Sequence, residues 1–367
     1  MNRRLVSPFK LALVLPILLA AACNNTGGGN PYAGGKTPPA ASGPAGSPPP
    51  QKIKIGYVLH VLNDFTAVIQ RGAKDAGDDL GVDVQIVGPS DLEATKTIAL
   101  FEGMVQQKKD GLAVVPVPGS QWVKPIKEAT GAGIPVMTAN SISEGSTASA
   151  WVGQDEYQSG VILAEQMRKQ LDAQGKKSGT ILVGICAPQM AVLQDRYRGF
   201  KKGMEGSAFT VNDAKDVTVP NTTNYSRWES LATATPGMVA AVGLCSMDIP
   251  NLYKLKQRNK ATWLIGGYDL NKDTLDSVKN GTCQVTLGQH PYLQGYLPVL
   301  ALVRHIRDKK PMPQGWLDVT TEVVTKENVD TVSPREHDPA TEKKWYADFI
   351  AKHFADLNAV AKPLPKH

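Results

Sequence analysis

The chain is predicted to fold as an α/β protein built from two successive doubly wound parallel sheets, and three observations predict it. From Ile53 onward, short apolar runs alternate with amphipathic stretches, the pattern of parallel strands covered by helices on both faces. After Val152 the alternation starts again, and two sheets of ordinary size are more economical than one very large one. Two polar residues, Asp269 and Gln289, directly follow apolar runs, at strand ends where an open α/β sheet places its ligand crevice.

In the first half, Ile53–Leu59 reads as a strand. The helix after it carries Phe65, Val68, Ile69, Ala73, Ala76 and Leu80 at helical spacing and stops at Gly81. Val82–Val87 is a second strand, and Asp91 is the expected cap of a helix bearing Ile98, Phe101 and Val105. Strand Gly111–Val117, helix Val123–Thr130, strand Ile134–Ala139 and a short strand Ala150–Val152 complete this half. The second half reads as helix Glu156–Leu171, strand Thr180–Cys186, helix Gln194–Met204, strand Val217–Val219, helix Ser226–Ala234, strand Met238–Cys245 and helix Pro250–Arg258. Strand Trp263–Tyr268, a helix ending at Asn280-Gly281 and strand Gln284–Leu287 follow. A helix from Pro291 to Arg307 and a strand near Val319–Val324 must be shared between the halves, and a helix Thr341–Phe354 lies in the C-terminal extension, 335–367. Each sheet is expected in the order 2-1-3-4-5, the flavodoxin-like arrangement.

Met1–Ala22 has a basic start, an apolar run and small residues before Cys23, the pattern of a secretory signal rather than a spanning helix. Residues 23–52 are rich in Gly, Pro and Ser with almost no large apolar side chain, a composition that cannot bury enough surface to fold and reads as a tether. The 367 residues carry a net charge of +6, half of it from Arg3, Arg4 and Lys10 in the signal. No nucleic-acid footprint is present.

Three cysteines fall in the folded part. Cys186 and Cys245 end strands that would be neighbours, so a disulfide and a pair of buried small hydrophobes are both open readings, and an odd count leaves at least one thiol unpaired. The six histidines show no metal spacing, and neither a Gly-x-Ser-x-Gly turn nor a phosphate loop occurs. No catalytic group, metal or cofactor is implied.

Several stretches together resemble the ribose- and galactose-type periplasmic sugar-binding proteins, over roughly Ile53 to Asp330. KIGYVLHVLNDFTAVIQRGA looks like that family's first strand, its Asn-x-Phe loop and the helix that follows, with Asn63 and Phe65 at ligand-contacting positions. Thr66 stands where a second aromatic is usual. Ile134–Asn140 is similar to the fourth strand, with Asn140-Ser141 in place of the usual Asp-Arg. DRYRGF places the ligand-binding arginine at Arg196. Tyr225 lies near the family's aromatic, and Met247 replaces a polar contact. Asp269, Gln289 and the following Pro-Tyr-x-x-Gly resemble its last core segment, and Leu19-Ala-Ala-Ala-Cys23 resembles a bacterial lipobox with Cys23 as the lipidated residue.

The resemblance implies a periplasmic-binding fold of type I: lobes 53–153 with 290–318 and 154–289 with 319–334, joined by a hinge of three segments near Gly153, Gln289 and Asp318. It also implies a monosaccharide or polyol ligand, an ABC-transporter permease as partner, a monomer, and a membrane-anchored location in the periplasm or at the cell surface. The residue types suit the task. Asp269 offers acceptors, Arg196 a fork of donors, and Asn63, Asn140 and Gln289 both; Phe65 and Tyr225 would supply flat walls for C–H faces. His60 is a further candidate beside the cleft. Blander roles stand beside these: Asp269 as the cap of the helix near Asn271, Arg196 paired with Asp195 or Glu205, Asn63 and Asn140 as turn formers, and Trp122, Trp151 and Trp228 as packing. A plain signal peptide cut near Ala22 is the alternative to lipidation. A sugar-sensing receptor that presents its ligand to a membrane signalling protein, and a binder of a non-sugar small molecule such as a nucleoside, are the rival functions.

Overall fold

A computed structural model describes residues 52–367 of the chain; the signal, Cys23 and all but the last residue of the tether lie outside them. The first sheet contains β1 (Lys54–Val58), β2 (Asp83–Val87), β3 (Gly111–Val114), β4 (Val136–Ala139) and β5 (Ala150–Gly153). Helices α1 (Asp64–Leu80), α2 (Ala94–Gln106) and α3 (Val123–Gly131) connect its first four strands. The second sheet contains β6 (Gly179–Ile185), β7 (Phe209–Val211), β8 (Lys215–Asp216), β9 (Ala240–Gly243), β10 (Leu264–Tyr268) and β11 (Val285–Gly288). Its helices are α4 (Glu156–Ala173), α5 (Ala191–Met204), α6 (Asn221–Ala234), α7 (Asp248–Asn259) and α8 (Lys272–Lys279). Helix α9 (Pro291–Asp308) then returns to the first sheet, where β12 (Gly315–Asp318) pairs in parallel with β5, and β13 (Glu322–Val324) joins the second.

The sheet orders are β2-β1-β3-β4-β5-β12 and β7-β6-β9-β10-β11-β13. The first extends the expected order by one parallel strand. The second keeps that order in its parallel core, β7-β6-β9-β10-β11, and adds β13, which runs antiparallel to β11. The direction follows from the route. Parallel strands of both sheets end at the cleft, and a chain leaving β12 there enters the second sheet from its C-terminal edge. The stretch read as one strand, Val319–Val324, is thus the crossing itself followed by β13.

Local signals explain most boundaries. Asn63 caps α1 and forms a capping box with Thr66, and Gly81 closes the helix at φ 65°. Thr66 is fully buried and bonds Val61 O and the Asn63 backbone, which is why no second aromatic stands there. Asp91 does not cap α2; Glu93 holds that position without a side-chain bond to the helix N–H groups. The edge of the second sheet is Phe209–Val211 followed by β8, both paired with β6, rather than Val217–Val219, since Thr218 at φ 61° breaks the extended run.

Each lobe is covered by a close helix pair, α1 against α9 and α4 against α5. Both crossings require glycine. A Cβ at Gly295 would overlap the Ile69 carbonyl and one at Gly72 the Tyr292 carbonyl; Gly199 and Gly160 stand in the same relation to the carbonyls of Tyr157 and Arg196. This gives the Gly of Pro-Tyr-x-x-Gly its physical reason.

Helix α10 (Val329–His337) leads into the C-terminal extension, which forms α11 (Pro339–His353) and α12 (Leu357–Val360). It touches each crossing segment. Arg335 pairs with Glu322 and lies 4.1 Å from the Trp345 ring centroid, Tyr346 bonds His290 and stacks on Tyr292 at 4.5 Å, and Lys362 and His367 pair with Asp318 and Asp155.

Candidate functional site

The C-terminal ends of β1, β4, β6, β9, β10 and β11 converge on a cavity of about 70 Å³. A wider mouth of about 820 Å³ opens beyond it, lined by Asp64, Arg71, Lys254 and Asp273 among others. His60, Asn63, Phe65, Asn140, Arg196, Met247, Asp269 and Gln289 all line the cavity. Tyr225 does not. It sits on α6 with the Arg258 guanidinium 5.6 Å from its ring centroid and packs against the outer core of the second sheet, because α6 starts at Asn221 and turns that face away. Trp122, Trp151 and Trp228 are buried packing residues; Trp151 donates to the Asn140 carbonyl and stacks on Trp316.

The polar core of the site is one connected network. Arg196, 3% exposed on α5, donates from Nε and Nη2 to both carboxylate oxygens of Glu156 at 2.6 and 3.0 Å. Its Nη1 bonds the Leu244 carbonyl at 2.9 Å, and Nη2 also reaches Gln289 Oε1 at 3.1 Å. Asn140 Nδ2 donates to the same Gln289 oxygen at 3.2 Å, and Gln289 Nε2 donates to Asp269 Oδ1 at 2.7 Å. The expected partners of Arg196 pair elsewhere: Asp195 with Arg198 and Glu205 with Lys202. Four of the five N–H donors of Arg196 are therefore used within the protein. The arginine orients Gln289, and Gln289 orients Asp269 and Asn140.

Among the described residues, Asp269 Oδ2, Asn140 Oδ1 and Asn63 Nδ2 take part in no hydrogen bond, and all three residues line the cavity. Asn140, Asp269 and His290 adopt φ of 59°, 76° and 48°, a conformation rare outside glycine and best tolerated by Asn and Asp. These are three of the eight non-glycine residues with positive φ among the described residues, and backbone strain at the strand ends of a cleft is a pointer to a site. Asn140 is thus both the turn former and a cavity residue. Asp269 is not the cap of α8, a role taken by Asn271.

Burial raises the Asp269 carboxyl to about 6 against the opposing pull of Arg196 and the Gln289 hydrogen bond. Burial lowers His60 to about 4, keeping it neutral, and its Nδ1 has no partner among the described residues. Beneath the site, Asp248 accepts from Asn224, Trp228 and the Cys245 amide and is likewise pushed up to about 6 by burial. Cys186 and Cys245 form a disulfide between the ends of β6 and β9, with Cα atoms 6.2 Å apart; Cys283 is free and buried. No group of three His, Cys, Asp or Glu suited to a metal occurs among the described residues.

Glu156 and Asp248 escape sequence reasoning. Glu156 follows the first crossing and meets Arg196 only in three dimensions, so neither spacing nor composition marks it.

Two doubly wound lobes, three crossings and a cavity at facing strand ends define a two-lobed binding protein of the type I arrangement. The chain belongs to the periplasmic binding protein domain family, which matches residues 55–310. The xylose/arabinose-binding protein of Sulfolobus acidocaldarius is 27% identical over 295 residues, 75% of this chain and 72% of that one. The ribose import binding protein of Bacillus subtilis is 24% identical over 262 residues, 71% of this chain and 84% of the other. Among solved structures, an ABC-transporter solute-binding protein from Burkholderia graminis in complex with D-arabinose superposes with a TM-score of 0.71 at 26% identity. The match covers 75% of this chain and 96% of that one.

Proposed function

We propose that the protein captures a monosaccharide or sugar alcohol between its two lobes and delivers it to the permease of an ABC importer. It acts as a monomer outside the cytoplasm, held to the membrane by a lipid on Cys23. The lobes are 53–153 with 290–318 and 154–289 with 319–334, the extension 335–367 lies outside them, and the protein has no catalytic role. The observation that carries the reading is the convergence of polar atoms without partners, Asn63 and Asn140 from one lobe and Asp269 from the other, on one cavity beside Phe65. Vicinal hydroxyls are donors and acceptors at once and match such a set. A ligand that bridges both lobes binds the closed arrangement better than the open one, and that difference drives closure. The relatives whose names include xylose, arabinose and ribose support the ligand class.

Thermal-shift screening of the full chain against pentoses, hexoses, sugar alcohols, nucleosides and amino acids tests it. A ligand at 100 times its dissociation constant adds about 2.7 kcal/mol of stability. A shift confined to polyhydroxylated compounds is expected. A shift with nucleosides or amino acids and none with sugars or polyols overturns the ligand class.

A further inference from the structure

The hydrogen-bond chain of the site can run in one sense only. Arg196 donates and cannot accept, so the Gln289 atom 3.1 Å from its Nη2 is the amide oxygen, and the amide nitrogen is the end that donates to Asp269 Oδ1 at 2.7 Å. Asn140 reaches the same Gln289 oxygen and must do so with its own amide nitrogen. Its oxygen is left over. The two ends of one glutamine amide therefore hold two residues whose remaining acceptors, Asp269 Oδ2 and Asn140 Oδ1, have no partner among the described residues. Both residues line the cavity, and neither oxygen is sealed from it.

The charges point the same way. Arg196 commits two bonds to Glu156 and forms no ion pair with Asp269. Asp248, just behind Cys245, accepts from Asn224, Trp228 and the Cys245 amide and meets no cation among the described residues. One guanidinium thus stands against the three carboxylates of Glu156, Asp248 and Asp269, and no other charged cation lines the cavity, His60 being held neutral by burial. At the mouth Arg71 is taken by Glu342 and Lys272 by Asp276, which leaves Lys254 against Asp64, Asp91 and Asp273. The cleft is acidic in a chain whose net charge is +6.

From the paired free acceptors and the excess of carboxylates we infer that the ligand is a protonated amino sugar: a monosaccharide whose ammonium group is bound by Asp269 and Asn140. The inference rests on the sugar-binding reading and narrows it. A hydroxyl carries one proton and can satisfy one of the two acceptors, whereas an ammonium carries three donors and no lone pair. Hydrogen bonds with a charged donor and a charged acceptor are roughly twice as strong as neutral ones. Against the parent sugar, with a hydroxyl in place of the amine, the gain is about tenfold or more in affinity. The hydroxyls of the ring are left to Asn63 Nδ2 and to the Ser246 hydroxyl, which also lines the cavity.

The test uses matched sets, so it does not depend on which stereoisomer binds. Calorimetric titration of the full chain at neutral pH compares D-glucosamine, D-galactosamine and D-mannosamine with their parent hexoses and with their N-acetyl derivatives, which keep the nitrogen and lose the charge. The amines 3-amino-3-deoxy-D-glucose and 6-amino-6-deoxy-D-glucose move the group around the ring, and D-ribose, D-xylose and L-arabinose are neutral references. The expected result is one amino sugar that binds at least tenfold tighter than its parent, its uncharged derivative and every pentose. Asp269→Asn keeps the shape and tolerates the positive φ of this position, and it should bring the ratio of amine to parent close to one. A parent hexose or a pentose that binds as tightly as every amino sugar overturns the inference and leaves the sugar-binding reading intact. So does a ratio unchanged in Asp269→Asn. No heat from any amino sugar overturns it as well, and if the neutral sugars are also silent while a compound of another class binds, the sugar-binding reading falls with it.

Discussion

Truncating Glu156 to alanine isolates the most deeply buried charge in the site, and the structure sets the size of the effect. The Arg196 and Glu156 side chains are each 4% exposed and share two charge-assisted bonds. Ion pairs at a surface are worth about 0.2–1 kcal/mol, but an arginine left in a closed site without its carboxylate costs about 3–5 kcal/mol. Burial acts against the charged form of Arg196, and the charge and hydrogen bonds of Glu156 more than offset it. The bonds to the Leu244 carbonyl and Gln289 persist in the variant, so the loss is expected near the lower end, about 3 kcal/mol. Replacing both partners, Glu156→Leu with Arg196→Met, removes the isolated charge and should recover most of that loss, although Gln289 then lacks its anchor and ligand affinity stays low. Urea unfolding followed by circular dichroism reads the difference from the midpoint at unchanged slope. A cost below about 1 kcal/mol for Glu156→Ala, or a double variant no more stable than the single one, refutes the reasoning.

Other contacts in the structure lead to further expected outcomes. Because burial holds the Asp269 carboxyl up to about 6, the acceptor it offers is lost as pH falls through that value. Affinity should therefore drop roughly tenfold per pH unit below 6, an effect absent from Asp269→Asn in titrations from pH 7.5 to 4.5. Its own contribution to stability has the opposite sign. The folded acid keeps its proton up to about pH 6 while the unfolded one releases it near 3.8, so stability from this group falls as pH rises across that window, seen as the wild type minus Asp269→Asn difference in unfolding midpoint. The Cys186–Cys245 bond closes a loop with a sequence separation of 59, and Cys186→Ser with Cys245→Ser should lower stability by about 2–4 kcal/mol; a change under about 1 kcal/mol by urea unfolding would count against it. In the extension, Tyr346→Ala deletes a fully buried ring stacked on Tyr292 and should cost about 3–5 kcal/mol, whereas Lys343→Ala removes a pair with Asp79 that is more than a third exposed and should cost under about 1 kcal/mol.

The α/β class and the ends of most elements were legible because they rest on local patterns: apolar runs, the Asn63 cap, Gly81, and the Pro that opens α9. Asp269 and Gln289 were legible as cavity residues because each follows an apolar run and strand ends point to the cleft; Asn63, Phe65, Asn140 and Met247 were singled out through the resemblance to the sugar-binding family. What stayed hidden depends on long-range pairing. Arg196 was singled out, but its partner Glu156 lies on α4, and no spacing predicts which carboxylate a buried arginine meets. Tyr225 was misplaced because residues 215–221 leave the edge strand sooner than their apolar character suggests. Strand β12 was passed over because GWLD pairs with β5 far away in sequence. Helix α10, with Pro334 inside it, was missed for the opposite reason, since proline is read as a breaker.

The most direct measurement is calorimetric titration of the best ligand from the sugar panel against the wild-type chain, Asn140→Ala and Asp269→Ala. Capture across the cleft predicts that each substitution, one from each lobe, weakens binding by about tenfold or more, with the larger loss at the charged Asp269. Affinity retained within about twofold in both variants would contradict a ligand held between the two lobes.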